Sequence, residues 1–323
     1  MKMCSKAGLG RLLAGIVMAS AIAILAACDG GHEDDLVDLQ DTVPDTALQK
    51  KHVHHSHEGQ HVFYFGFDLR ASPQEDARQY LPFLKYLNEK TGYEFRLRFT
   101  PKSSSIVEEL GKGRIHFAAV GADSYISAHE KYGVIGLVRG VNKQGKAEYQ
   151  SKIVVAPGSA IKTLAELKGK RLAFGSFTST QGHLIPRIII EEHGMKLVDF
   201  SGYTYTGSHQ NCVNAVVAGR VDACGMQDTM ADTMVEQGLV RVLYASRYYP
   251  SSGIAAHADL QHEVIARVKQ ALLDFKPTGR DKNSLYHWDR TEMPNGFVDS
   301  NDTDYDELRK WINYFGLLES SKR

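Results

Sequence analysis

Three loops of this chain place hydroxyl side chains at the start of a predicted helix. They are residues 101–105 (PKSSS), 177–183 (FTSTQGH) and 207–209 (GSH), and each directly follows a predicted strand. Hydroxyl groups and unpaired backbone N–H groups at a helix N-terminus can bind an anion without a basic side chain. A single loop of this kind is most often only a helix cap, but three of them together predict a site for an oxyanion with several oxygens.

The sequence lacks the motifs of several common catalytic sites. It contains no Gly-x-x-x-x-Gly-Lys-Ser/Thr, no Gly-x-Gly-x-x-Gly between strand and helix, and no Gly-x-Ser-x-Gly. Ser208 and His209 are an adjacent pair that could act as nucleophile and base, but neighbours in a turn rarely align for this role. The sequence therefore favours a binding protein without a cofactor over a hydrolase.

Strand-like and helix-like segments alternate from residue 61 onward. The predicted strands are 62–67, 95–100, 115–121, 151–159, 171–176, 200–207, 221–226 and 240–246, and the predicted helices are 73–92, 103–113, 163–169, 181–194, 211–220, 228–238, 262–275 and 305–316. Such alternation is typical of parallel sheets with helices on their faces. Ligands of these sheets bind beyond the carboxyl ends of the strands, which is where the hydroxyl loops lie. About 260 residues fit two α/β lobes better than one.

The overall charge hides a difference between segments. The 323 residues contain 38 Lys and Arg, 38 Asp and Glu, and four Cys. The balance argues against a polybasic nucleic-acid binder, and four cysteines are too few for a scaffold built on disulfides. Residues 29–60 hold eight acids against two lysines, whereas residues 61–323 hold 33 basic and 30 acidic residues. This slight positive excess is compatible with anion binding.

The N-terminal residues have the layout of a bacterial lipoprotein signal peptide, which we assign to residues 1–27. Lys2, Lys6 and Arg11 precede an uncharged apolar run from Leu12 to Ala27. This run is too short to span a membrane comfortably. It ends in the sequence LAAC, which resembles a lipobox, and the alternative is a plain secretory signal followed by a coincidental cysteine.

Cys28 would then be the acylated first residue of the mature protein. Lipid on this cysteine would anchor the protein to the outer face of a membrane without threading the chain through it. Asp29 resembles the signal that retains lipoproteins at the inner membrane. We therefore expect a periplasmic protein that is anchored to the inner membrane.

Residues 28–60 are predicted to form a flexible, acidic and histidine-rich tether. The segment carries too little apolar surface to offset the entropy lost on ordering. A short histidine tract could bind zinc, copper or nickel, and the alternative is a solvated linker. The histidines of this tract are His52, His54, His55 and His57.

Several segments resemble one known family. Residues 97–125, 151–187, 205–226 and 240–250 closely resemble the phosphate, phosphite and phosphonate-binding family. Its members are periplasmic solute-binding components of ABC transporters. The resemblance covers about residues 62–275 and includes the Ser-Thr turn and the later Gly-Ser-His.

This resemblance implies the type II periplasmic-binding-protein fold, in which two α/β lobes joined by two crossover strands close on the ligand. The crossovers are expected near Val154–Ser159 and Ala245–Ala255. Residues 61–155 would then form the first part of lobe 1, residues 156–250 would form lobe 2, and residues 251–323 would return to lobe 1.

The resemblance also implies a set of ligand contacts. Phosphonate-type oxygens would meet Ser179, Thr180 and the N–H groups around Gln181. His209 would donate from the same lobe, unless it is a helix cap or a core histidine. Arg70 follows the first strand and either supplies a charge-assisted contact or lies on the surface. The hydroxyls contributed by the other lobe would be those of Ser103 and Ser104.

The chain departs from the aminophosphonate binders of this family in two ways. Ser103 and Val120 stand where those proteins have aromatic residues beside the ligand. Thr229 and Ser252 stand near the positions of their ammonium-pairing acids, although Asp228 is adjacent. These departures favour phosphate, phosphite or a related small anion over an aminoalkyl phosphonate.

Cys212 and Cys224 occupy positions where relatives usually carry small residues. They could form a disulfide in the oxidising periplasm if their Cα atoms come within about 7 Å. They could also be two buried small apolar residues, or they could bind a thiophilic ligand such as arsenite.

Two functions fit these features. The first is a monomeric receptor that captures an oxyanion and delivers it to an ABC permease in the inner membrane. The alternative is a sensing module that reports the anion to a membrane sensor kinase or cyclase. No nucleic-acid partner is expected.

Overall fold

Lobe 1 begins with a buried strand, after which helices and strands alternate. The structure is a computed structural model that describes residues 61–320. The first elements are β1 (Val62–Phe67), α1 (Pro73–Thr91), β2 (Glu94–Leu97), α2 (Ile106–Gly111), β3 (Phe117–Val120), α3 (Ala122–Tyr132) and β4 (Ile135–Gly140). Strand β1 lies where the sequence predicts it, whereas α3 and β4 fall in a segment to which the sequence pattern assigns no element.

The chain then crosses to lobe 2 and returns. The crossing and lobe 2 contain β5 (Glu148–Tyr149), β6 (Ser151–Val155), β7 (Arg171–Phe174), a π-helical turn (Thr180–Leu184), α4 (Ile185–Glu192), β8 (Gly202–Tyr205), α5 (His209–Val217), β9 (Ala223–Gln227), α6 (Asp228–Glu236) and β10 (Arg241–Ala245). The return contains β11 (Tyr249–Pro250), β12 (Gly253–Ala256), α7 (His262–Leu273), β13 (Phe297–Asp299), α8 (Asp306–Tyr314) and α9 (Leu317–Ser320).

Each lobe is built on one sheet. The lobe 1 sheet has the strand order β13-β4-β12-β3-β1-β2, and the lobe 2 sheet has the order β10-β6-β9-β7-β8. Strands β2, β1 and β3 are parallel, as are β8, β7 and β9. Strands β6 and β12 pair antiparallel with their neighbours. The sheets are therefore mixed and not wholly parallel as predicted, because each crossing delivers a strand that enters its sheet from the opposite direction.

The two crossings pair with each other as a short antiparallel ribbon. Tyr249 pairs with Tyr149, and Pro250 pairs with Glu148. The first crossing thus precedes the range Val154–Ser159 inferred from the sequence, because β6 is paired with β9 of lobe 2 as far as Val155. The second crossing lies within the inferred range.

Local sequence explains how the helices begin and end. The Ser72 hydroxyl accepts a hydrogen bond from the Glu75 backbone N–H at 3.3 Å, and Pro73 occupies the first turn of α1. This helix ends at Gly92, whose φ of 74° is left-handed. The predicted helix at 163–169 is only a 3₁₀ turn over Ala165–Leu167.

Two large clusters of buried side chains form much of the core, and they differ in composition and in position. One cluster in lobe 1 is rich in aromatic rings, and Phe83 stacks on Trp288 with ring centroids 4.8 Å apart. A second cluster runs from α2 and α3 through Tyr149 of the crossing to the isoleucines of α4.

Among residues 61–320, no helix combines the length and apolar character needed to cross a bilayer.

Candidate ligand-binding cleft

A cavity of about 30 Å³ lies between the two lobes. A space of this size admits only a small ligand or a few water molecules. Its lobe 1 side, which we call the charged wall, consists of Asp68, Leu69, Arg70, Gly121, Ser252 and Glu292. Its lobe 2 side, which we call the neutral wall, consists of Ser176, Ser179, Thr180, Gln181 and His209.

The neutral wall is built around the π-helical turn that precedes α4. The Ser179 hydroxyl caps this turn by accepting a hydrogen bond from the Gly182 backbone N–H at 3.0 Å. A Cβ atom at Gly182 would lie 2.8 Å from the Ser179 oxygen and 2.9 Å from Cε1 of His209, so glycine is needed there. The first N–H groups of a helical segment have no partner within it and can bind an anion.

His209 stands at the first position of α5, after Ser208 caps the helix. Its Nδ1 accepts a hydrogen bond from the Gln227 backbone N–H at 3.3 Å. Burial lowers the pKa of His209 to about 4, so the imidazole is neutral at physiological pH. Because Nδ1 is an acceptor, Nε2 carries the proton and can donate to a ligand.

Direct hydrogen bonds join the lobes beside the cavity. The Thr180 hydroxyl accepts from the Asp123 backbone N–H at 2.8 Å, and the Ser124 hydroxyl donates to the Thr178 carbonyl at 3.4 Å. A Cβ at Gly121 would lie 2.9 Å from the Thr180 hydroxyl oxygen. The lobes are therefore closed on the cavity, and glycine permits their close approach.

The charged wall is organised by Arg70, which is 8% exposed. Its guanidinium donates to Glu292 at 3.0 Å and to the Tyr80 hydroxyl at 3.1 Å. Burial acts to raise the pKa of Glu292, but Arg70 together with the Ser252 hydroxyl more than offsets it and holds this pKa below its ordinary value. Arg70 is thus a buried member of the cleft, and the alternative of a surface arginine is wrong.

Asp68 adds a second carboxylate to this wall. It accepts hydrogen bonds from the Gly121 backbone N–H at 3.0 Å and from the Ser124 hydroxyl at 3.3 Å. Burial raises the pKa of Asp68 despite these bonds. Asp68 directly follows β1, and ligands bind beyond the carboxyl ends of parallel strands. The reasoning that singles out the hydroxyl loops could therefore have identified Asp68 as well. No local pattern marks Glu292, which lies in an irregular segment between α7 and β13.

The arrangement of a small interlobe cavity between two α/β lobes agrees with the comparison with known families. A model of the ABC transporter, phosphonate, periplasmic substrate-binding protein family matches residues 65–305. The chain belongs to this family. It is therefore a periplasmic substrate-binding component of an ABC transporter and not an enzyme, as the sequence predicts.

Individual relatives are distant. The phosphonates-binding periplasmic protein of Escherichia coli (strain K12) is 24% identical over 241 residues, covering 72% of this chain and 71% of that protein. PhnD1, a probable phosphite-binding protein of an ABC transporter from Prochlorococcus marinus (strain MIT 9301), is 26% identical over 162 residues, covering 49% of this chain and 50% of that protein. The solved structure of PhnD1 with methylphosphonate has a TM-score of 0.72 at 16% identity and covers 79% of this chain and 98% of that one. This likeness confirms the predicted two-lobed fold.

Two residues of the inferred ligand set do not reach the cavity. Ser103 is exposed, and the Ser104 hydroxyl donates to the Glu109 carboxylate at 2.7 Å. Helix α2 begins after both of them and is capped by Ser105. In this structure the hydroxyl loop at residues 101–105 therefore serves α2 and Glu109, while the loops at 177–183 and 207–209 meet at the cleft. The Gln181 side chain is also engaged elsewhere, because it donates to Asp228 at 3.1 Å.

Acidic side chains are closer to the cleft than the sequence comparison with aminophosphonate binders indicates. Ser252 does line the cleft, but Asp68 and Glu292 line it as well. Asp228 and Thr229 line a neighbouring cavity of about 160 Å³ that also includes Glu292. The carboxylates of the cleft, Asp68 and Glu292, therefore come from positions other than those compared with the aminophosphonate binders.

Of the three alternatives for Cys212 and Cys224, the structure has the disulfide, with Cα atoms 5.9 Å apart. It joins α5 to β9, the two elements that hold His209 and its Gln227 donor.

The lipidation site Cys28 and the histidines His52, His54, His55 and His57 lie outside the described residues. Residues 57–61 match the His-Glu-x-x-His spacing of zinc peptidases, a motif that requires both histidines on one helix. His61 lies outside any helix, directly before β1. The part of the chain from 61 to 320 contains no group of three or more His, Cys, Asp or Glu residues placed to hold a metal ion.

Proposed function

We propose that this periplasmic protein captures a small phosphorus oxyanion, such as phosphite, phosphate or methylphosphonate, and delivers it to an ABC permease. The observation that carries the proposal is the convergence of Arg70, neutral His209 and the capped π-helical turn on one small interlobe cavity. The relatives named for phosphonate and phosphite binding support the same class of ligand.

The two walls would supply different hydrogen-bond donors to the bound anion. The neutral wall offers the Nε2–H of His209, the hydroxyl of Ser179 and the N–H groups that begin the π-helical turn. The charged wall offers the guanidinium of Arg70, which can form a charge-assisted hydrogen bond to an oxyanion. The bond between Thr180 and the N-terminus of α3 would close the lobes over the bound anion.

We further propose that the mature chain is a lipoprotein. Acylated Cys28 would hold it at the membrane, Asp29 would retain it at the inner membrane, and residues 28–60 would let the lobes reach the permease. Replacing Cys28→Ala should release the protein into the soluble periplasmic fraction, and metabolic labelling with a fatty acid should mark only the wild type. Labelling of the variant would contradict acylation at Cys28.

Calorimetric titration and thermal unfolding of the mature protein with phosphite, phosphate and methylphosphonate test the choice of ligand. At 100 times its dissociation constant, a ligand should add about 2.7 kcal/mol to the free energy of unfolding. His209→Asn should weaken binding at least tenfold, because it removes a donor from the neutral wall. The matched control is His193→Asn, since His193 ends α4 away from the cavity. The proposal fails if none of these anions binds, and the site assignment fails if both variants bind equally.

A further inference from the structure

The charges around the cleft are unusual for a site that receives an anion. The positive charge of Arg70 is already paired with Glu292, Asp68 adds another carboxylate, and His209 is neutral. No lysine and no second arginine lines this cavity among the described residues. Asp68 and Glu292 are close enough to influence each other electrostatically, and we call them the carboxylate pair.

Both carboxylates retain capacity to accept hydrogen bonds. A carboxylate has about four lone-pair sites. Asp68 uses its two oxygens for Gly121 and Ser124. Oε2 of Glu292 accepts from Arg70, and the Glu292 carboxylate also accepts from the Ser252 hydroxyl. Because both residues line the cavity, an oxygen atom without a proton would face these acceptors at the cost of electrostatic repulsion. A hydroxyl on the ligand would instead donate to one of them.

We propose that the carboxylate pair of Asp68 and Glu292 makes this cleft selective for phosphorus oxyanions that keep one acidic proton, and that it excludes sulfonates and sulfate. The proposal rests on the function proposed above. The P–OH group of the bound anion donates to the pair, while Arg70 and the neutral wall bind the remaining oxygens. The sign of the ligand's charge is thus not sufficient for binding.

Two ligands of nearly identical shape isolate this effect. The methylphosphonate monoanion and methanesulfonate each carry one negative charge, three oxygens and a methyl group, and they differ in the central atom, phosphorus or sulfur, and in the one acidic proton of the phosphonate. We expect wild-type protein at pH 6 to bind methylphosphonate at least about 100-fold more tightly, since a site built to accept a donor rejects an analogue that lacks it. Equal affinities would overturn the proposed selectivity and leave the proposed function intact. Failure of every phosphorus oxyanion to bind would overturn both.

Three variants locate the discrimination. Asp68→Asn and Glu292→Gln place an amide donor in the pair, so the preference for methylphosphonate should fall at least tenfold. Asp228→Asn is the matched control, because it removes a charge beside the neighbouring cavity. It should shift both affinities alike and leave their ratio unchanged. A ratio unchanged in both of the first two variants, with folding verified by circular dichroism, contradicts the role of the pair.

A pH series on the wild type gives a test that needs no variant. The ratio of the two affinities should fall as the pH rises through the second ionisation of methylphosphonate. Titrations outside the pair affect both ligands and largely cancel in this ratio, whereas protonation of the pair itself, which the raised pKa of Asp68 favours, lowers the ratio towards acidic pH. A ratio constant across that ionisation would contradict the proposal. The other ionisable groups around the pair are Asp76, Tyr80, Asp123, Tyr149, His209 and Asp228.

Discussion

The two walls of the cleft are built by different kinds of interaction. The neutral wall comes from consecutive strand-to-helix turns of lobe 2, and its donors are hydroxyls, backbone N–H groups and an uncharged imidazole. The charged wall brings Arg70 next to Glu292, which is 222 residues away in the sequence. One wall is therefore a local product of capped turns, whereas the other exists only after the chain has crossed to lobe 2 and returned.

This difference predicts different sensitivities. A capped turn loses one hydrogen bond when a hydroxyl is removed, and the rest of the turn remains. A buried ion pair leaves an uncompensated charge when one partner is removed. Substitutions in the charged wall should therefore affect both stability and binding strongly, whereas those in the neutral wall should affect mainly binding.

The largest effect is expected for Arg70→Gln. Loss of the guanidinium leaves the carboxylates of Glu292 and Asp68 without their cation, which should cost about 3–5 kcal/mol of unfolding free energy. Anion affinity should fall at least about 100-fold. Urea denaturation and calorimetric titration measure the two quantities. The control is Arg171→Gln, an arginine paired with Asp222 on the surface, which should change neither appreciably. A variant as stable as wild type would mean that the charged wall is not organised by this pair.

The difference between local turns and long-range packing also determines which site residues could be predicted from the sequence. Ser179, Thr180 and His209 are found from local patterns, because strand ends and caps are encoded by neighbouring residues. Glu292 has no such signal, since its role depends on long-range packing against Arg70. Ser104 shows the opposite error: it has the local pattern, but Glu109 engages its hydroxyl.

The helices and strands also divide into those set by local sequence and those set by contacts distant in the chain. Helix α1 is predicted well because Ser72, Pro73 and Gly92 mark its ends locally. Helix α3 begins after Gly121, which provides no side-chain cap, and its position depends on the sheet beneath it and on the contact with Thr180. The parallel strands are predicted correctly, whereas the antiparallel strands depend on where the chain crosses between lobes.

The next largest effect concerns the disulfide that joins α5 to β9 within the neutral wall's lobe. Replacing both Cys212 and Cys224 by Ala should lower the free energy of unfolding by about 3 kcal/mol, the value expected for a loop of this length. Anion affinity should also fall, because the two joined elements hold His209 and its Gln227 donor. Urea denaturation with and without reductant measures the effect. Reductant should leave the double variant unchanged, and equal stability of oxidised wild type and variant would contradict the expectation.

A smaller effect is expected from Asp123, which lies at the start of α3 between the walls. Burial, with a further contribution from Asp68, raises the pKa of Asp123 to about 7. The ordinary value is 3.8, so the folded state holds a proton that the unfolded state has lost between about pH 4 and 7. The contribution of Asp123 to the free energy of unfolding is therefore fully present below about pH 4. It decreases by about 1.4 kcal/mol per pH unit as the pH rises from about 4 to 7.

Asp123→Asn should remove this decrease, which urea denaturation at pH 5 and pH 6 can measure. His209, whose pKa is lowered to about 4, acts in the opposite direction: its contribution is present above pH 6.5 and is lost as the pH falls towards 4. The difference between wild type and variant isolates Asp123, because His209 titrates in both. If this difference does not change with pH, Asp123 does not bind a proton on folding.

The smallest loss of stability is expected when a capping serine is replaced by alanine. Comparing two such serines shows which cap also contributes to anion binding. Ser179→Ala and Ser105→Ala each remove a hydroxyl that accepts from a backbone N–H three residues later, at 3.0 and 3.2 Å. Each should cost about 1 kcal/mol of unfolding free energy. Only Ser179 lines the cleft, so only its loss should weaken anion binding, by about tenfold for one lost hydrogen bond. Urea denaturation and calorimetry on both variants measure the two effects. Equal affinities of the two variants would mean that Ser179 acts only as a cap, and the neutral wall would then rest on His209 and the backbone N–H groups.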